Sequence, residues 1–118
     1  MPSQVQLAFR ERVEDALLRD DPLELEPLIL DVAHHSEERE WAEACCVQLA
    51  RHRNAMVRGN AVAGFGHLAQ RFGQLDRHRV QRRVVIALHD QSEYVRDQAQ
   101  SAAEDLETYL RWEIEASG

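Results

Sequence analysis

The sequence predicts an all-α domain of about six helices, arranged as three antiparallel hairpins stacked into an α-solenoid. Three observations predict it. Apolar residues recur at helical spacing along almost the whole chain, the breaks between these runs are only two to four residues long, and two of the runs match each other at a fixed offset. Composition agrees: 6% of the 118 residues are aromatic, prolines number three and glycines five, and Ala, Leu, Arg, Glu and Gln dominate over the β-branched residues that strands favour. A chain of this length makes one domain, residues 1–118, and can bury a continuous core without a metal or a disulfide.

The first run places Val5, Phe9, Val13 and Leu17 every fourth residue, with Ala16 beside them, and predicts a helix over 4–19. Asp20, Asp21 and Pro22 end it. Asp21 suits an N-cap with Pro22 at the first helical position, and Leu25, Leu28, Ile29 and Val32 make the next stripe. Pro27 lies inside that stripe, so either the helix starts near Glu26 or it bends there. Ser36 is positioned to cap a third helix over about 37–52, with Trp41, Cys45 and Leu49 on one face. Asn54 caps a fourth, about 55–73, which buries Val57, Ala61, Phe65, Leu68 and Phe72 and stops at Gly73. The fifth spans about 76–89 on Val80, Val84, Ala87 and Leu88. The sixth spans about 92–113, opened by Ser92, on Val95, Ala99, Ala102, Leu106 and Tyr109. Connections this short make neighbouring helices antiparallel, which gives hairpins at about 4–35, 37–73 and 76–113.

Self-comparison separates a solenoid from a closed bundle. NAMVRGNAVAGFGHLAQ, starting at Asn54, aligns without gaps on SEYVRDQAQSAAEDLET, starting at Ser92; the period is 38 residues and pairs Val57 with Val95, Arg58 with Arg96, Ala61 with Ala99 and Leu68 with Leu106. Small alanines at matched sites let stacked helices approach closely.

The stretches LHDQSEYVRDQAQSAAEDL, residues 88–106, and ARHRNAMVRGNAVAGFGHL, residues 50–68, resemble the HEAT repeat family, including the HEAT-like group named after phycobilisome lyases. The resemblance covers about residues 37–110 and implies a right-handed solenoid, a scaffold for protein binding, and an aspartate and arginine six residues apart that help tie successive hairpins. Asp90 and Arg96 fit that pair. The middle copy keeps Arg58 but has His52 for the aspartate, and the first hairpin has Asp20 but Glu26 for the arginine, as an atypical cap would.

No nucleophile stands beside a base and no ligand set converges, so no catalytic residue, cofactor or metal is expected, and no bilin-attaching set is recognisable. Gly64 and Gly66, separated by Phe65 in a helix middle, read as close-packing sites instead of a phosphate loop. Cys45 and Cys46 are adjacent and read as buried thiols. His34 and His35 fall at a helix end where the carbonyl dipoles favour them; His78 and His89 are three turns apart on the fifth helix, too far for one metal. Glu37, Glu38, Glu40 and Glu43 form a charge run at a helix start and read as a solvated face.

Formal charge is −7, and it runs −8 over residues 1–50, +5 over 51–100 and −4 over 101–118; all fourteen basic residues are arginine. Arg77, Arg79, Arg82 and Arg83, with Arg51, Arg53 and Arg58, would form a basic band. That band is either answered by the chain's own acids or used to bind nucleic acid, an alternative weakened by the net charge and by the lack of interleaved aromatics. Glu37, Glu38, Glu40, Trp41, Arg79, Arg82, Arg83 and Trp112 are the candidate partner-binding residues, although Trp112 also suits closing the end of the stack. The expectation is a non-catalytic module for a cationic protein partner, of which an immunity protein that neutralises a basic toxin would be one form. The N-terminus has charges among its apolar residues, so neither a signal peptide nor a membrane span is expected, and the protein is assigned to the cytoplasm.

Overall fold

Five of the six helix starts are sealed by a side chain. Ser3, Asp21, Asn54, Asp76 and Ser92 each hold extended backbone and turn an oxygen onto an amide of the following turn, at Gln6, Leu23, Val57, Arg79 and Val95. The resulting helices in the computed structural model, which describes residues 1–114, are α1 (Gln4–Arg19), α2 (Pro22–His35), α3 (Arg39–Leu49), α4 (Ala55–Phe72), α5 (Arg77–Ala87) and α6 (Glu93–Leu110). Among the described residues there is no strand, and no helix is long and apolar enough to cross a membrane. Residues 115–118 of the expected domain lie outside the described residues.

Helix ends follow local chemistry. Asp20, Gly73 and Arg111 take left-handed backbone just past α1, α4 and α6, and the amide of each returns to a carbonyl of the last turn. Arg111 therefore stops α6 at Leu110, short of the expected 113. Ser36 does not open α3. It closes α2, while its hydroxyl accepts the Glu38 amide at 3.1 Å, so α3 starts two residues later than expected. α2 begins at Pro22 and continues through Pro27, which removes the option of a start near Glu26; the missing amide leaves the Leu23 carbonyl without its helical partner. α5 ends at Ala87, so His89 lies beyond it.

α4 is the centre of the molecule. It packs most extensively against α6 and α2, and also against α3 and α5. Its Phe65 is the largest fully buried side chain, surrounded by one core that includes Val13, Leu25, Ile29, Cys46, Val80, Val84, Val95 and Leu106. All six apolar repeat positions, Val57, Ala61, Leu68, Val95, Ala99 and Leu106, are 0% exposed. The whole measures 42 × 28 × 18 Å. Two expected core residues are not in it: Val5 is 76% and Tyr109 43% exposed. Each sits near an end of its helix.

Candidate interaction surface

The side-by-side packing of α2, α4 and α6 is set by glycines and one buried amide. A Cβ at Gly59 would lie 2.5 Å from the Tyr94 ring, and one at Gly66 would collide with the Asp105 carboxylate, so α4 can approach α6 only where it has no side chain. Against α3 a Cβ at Gly64 would meet Cys46 Sγ at 2.7 Å, with Ala33 of α2 at 3.4 Å. Asn60, 5% exposed, joins all three helices: its Nδ2 donates to the Glu26 carbonyl of α2 at 2.8 Å, and its Oδ1 accepts the Tyr94 hydroxyl of α6. Burial pushes the Tyr94 phenol pKa up. Between the flanks α4 presents Ala63, His67 and Gln70 outward. The His67 ring lies 4.2 Å from that of His34, and burial, then the neighbouring His34, lowers its pKa against an opposing pull from Asp105.

Charge is sorted by row. The helices α2, α4 and α6 carry eight acids and three arginines, whereas α1, α3 and α5 carry five acids and eight arginines. Moreover, the three arginines of the acidic row are all engaged internally. Arg58 forks onto Asp90 at 2.9 and 2.8 Å and also donates to the His52 and Arg53 carbonyls. Arg96 donates to the Asp90 and Gln91 carbonyls, and Arg71 to those of Ala33 and Ser36. Asp31, Asp97 and Glu104 of this row are exposed and Asp105 is half-buried against Gly66, and the three arginines of the row are bonded elsewhere.

The residues singled out from sequence scatter. Glu38 is bonded to Arg10 at 3.1 Å, and Trp41 is half-buried, with Phe9 edge-on at 6.2 Å and the Arg10 guanidinium 5.4 Å from its ring centre. Glu37 and Glu40 are exposed, the latter beside Arg39 at 3.4 Å. Trp112 is 8% exposed under the Arg77 guanidinium, so it closes the core end and offers a partner little surface. Arg79 lies 3.9 Å from Glu43. Glu43 is not part of a solvated face: at 2% exposure it accepts the Asp76 amide at 2.7 Å and latches the start of α5 to α3. Arg82 and Arg83 reach no acid among the described residues. The structure thus does not gather the eight candidates into one site.

The basic band is divided in the same way. Arg53 pairs with Asp20 at 2.5 Å, and Arg53 followed by His52 holds the Asp20 pKa below the usual carboxylate range. His52, which lies 38 residues before Asp90, receives the Asn54 amide on Nδ1 and so presents Nε2–H to Asp20 at 2.6 Å. Arg58 likewise lowers the Asp90 carboxyl. The resemblance implied that Asp90 and Arg96 help tie successive hairpins; the Asp90 carboxylate takes Arg58 from the preceding copy, and Arg96 holds the Asp90 carbonyl.

Both cysteines are buried and free, and burial raises their thiols, Cys45 to about 12. Among the described residues no group of three or more His, Cys, Asp or Glu could hold a metal ion. Comparison of the chain with protein-family models, curated proteins and solved structures gives no match.

Proposed function

We propose that the chain is a non-catalytic HEAT-like solenoid of three antiparallel hairpins, and that it binds a cationic protein segment across the outward side of α2, α4 and α6. The solenoid part draws support from repeated contacts: Arg58 with the His52 and Arg53 carbonyls is reproduced 38 residues later by Arg96 with those of Asp90 and Gln91, and the Asn54 cap on Val57 by the Ser92 cap on Val95. The observation that carries the binding part is the segregation of charge by row, with every arginine of the acidic row already hydrogen-bonded within the chain. A row of carboxylates flanking a low floor of Ala63 attracts a basic segment and speeds its encounter.

The test is fluorescence anisotropy of a labelled oligo-lysine peptide. Saturable, salt-sensitive binding is expected, weakened roughly tenfold or more, which is about 1.4 kcal/mol, by Asp97→Lys with Glu104→Lys. No binding, or binding lost instead on Glu11→Lys with Glu14→Lys of α1, would reject this face.

A further inference from the structure

An open groove of about 980 Å³ runs along α5, apart from the acidic row. Val85 and Ile86 give it apolar lining, and Arg77, His78 and Arg82 outnumber its one acid, Glu113, which follows α6. Ile86 is 49% exposed, and Arg82 meets no acid and makes no hydrogen bond among the described residues. The groove is not the flank that α5 turns to α3. Arg79 marks that flank by its approach to Glu43, and Gln81 and Val85 of the groove lie about 160° and 120° around the helix from Arg79.

α1 carries a complementary face. Val13 and Ala16, with Phe9 and Leu17 half-buried beside them, mark the side packed on the core. Leu7, Glu11, Asp15 and Leu18 recur at helical spacing on the opposite side and are all exposed, Leu18 at 85%. The arginines of α1 are engaged elsewhere: Arg10 with Glu14 and Glu38, Arg19 with Glu24, and Arg12 over the Phe9 ring. Glu11 and Asp15 make no ion pair or hydrogen bond among the described residues.

We propose that the α5 groove receives this face of α1 from a second copy of the chain, in a head-to-tail contact that sets Leu7 and Leu18 on Val85 and Ile86 and brings Glu11 and Asp15 to Arg82 and His78. Burial of the apolar pairs supplies affinity, and the opposite charges fix the orientation. Charge complementarity selects this occupant: Arg77 and Arg82 repel the cationic segment that suits the α2, α4 and α6 face, and they attract an acidic one. α1 and α5 do not pack on each other within one copy. The contact therefore joins unlike surfaces, each bound copy still offers a groove or an α1 face, and association does not close at two.

Sedimentation velocity of the full chain over a concentration series tests the contact. The average mass is expected to rise with concentration past that of a dimer, and Arg82→Gln to weaken the association roughly tenfold or more. Ile86→Asp spoils the groove and Leu18→Asp the α1 face; each variant should be monomeric with helicity intact, because both side chains are exposed. Mixed together, the two should form a one-to-one complex and nothing larger, since one supplies the working α1 face and the other the working groove. A parent that stays monomeric to about 1 mM would overturn the second copy as occupant, in favour of an acidic helix from another protein. A dimer that does not grow, self-association retained by both variants, or a mixture that stays monomeric would each overturn the pairing of these two surfaces.

Discussion

Asp90→Ala should be the most informative single substitution between the two best-matched repeats. The carboxylate is 14% exposed and holds three donors: Arg58 Nε at 2.9 Å, Arg58 Nη2 at 2.8 Å and the Ser92 amide at 2.9 Å. Charged hydrogen bonds at sites of this burial contribute about 1.5–3 kcal/mol each, whereas an exposed pair contributes under about 1 kcal/mol. Arg58 keeps its bonds to the His52 and Arg53 carbonyls after truncation, so it is not stranded, and the net loss should be about 2 kcal/mol. At this chain length that is a fall of roughly 8 °C in Tm. Urea unfolding followed by far-UV circular dichroism measures it, with a lower midpoint and an unchanged m-value expected. The isosteric Asp90→Asn adds a pH test. Because Arg58 lowers the folded carboxyl pKa, the stabilisation is present above the ordinary aspartate range and disappears as pH falls through the folded value. The gap between parent and Asp90→Asn should therefore be widest near neutrality and close below about pH 4. A loss under about 0.5 kcal/mol, or a gap that persists unchanged in acid, would refute the reading of this pair as a tie between repeats.

Gly59→Ala places a Cβ 2.5 Å from the Tyr94 ring, which its hydroxyl bond to Asn60 holds in place; the clash should outweigh the gain in helix propensity and cost about 1–2 kcal/mol by chemical denaturation. Ala99→Arg puts a long cation at a 0% exposed position of α6 and should unfold the last pair of helices, seen as lost helicity; an unaltered melt would mean the site can open. Glu43→Ala should release the start of α5, with faster amide exchange at Asp76 and little change in α1. Arg82→Glu with Arg83→Glu should leave helicity and oligo-lysine binding nearly unchanged, and loss of that binding would move the cationic partner to the first-helix row.

The helices were legible because period, caps and stops are local. Asn54, Asp21 and Gly73 act where their spacing puts them, and all six apolar repeat positions are fully buried. Errors fell where a third element decides. Val5 has the right spacing for a core stripe but no neighbour to cover it, and Ser36 is a good N-cap by composition yet serves the preceding helix. Glu43 read as one of four acids on a wet helix start; its difference from Glu40 lies entirely in facing α5, and nothing in the local sequence marks it.

Charge made the hardest case, and its reason is geometric. Along the chain the acids and arginines divide into thirds, whereas in space they divide by alternate helices, because α4 packs between α2 and α6 while α5 packs on α3. The linear count placed the acidic flanks at the two ends and the basic band between them. Folding sets the α2 acids and the α6 acids against opposite flanks of α4, and packs α5, with its arginines, against α3, α4 and α6. α4 lies between the acidic helices and contributes no acid of its own, and its glycines let α6 approach closely. The sequence signal for the surface was therefore the absence of charge and bulk at Gly59, Ala63 and Gly66, bracketed by acids a full repeat away on either side. A reading by repeat position, which compares each second helix with the next, would find that pattern; a reading by net charge along the chain averages it away.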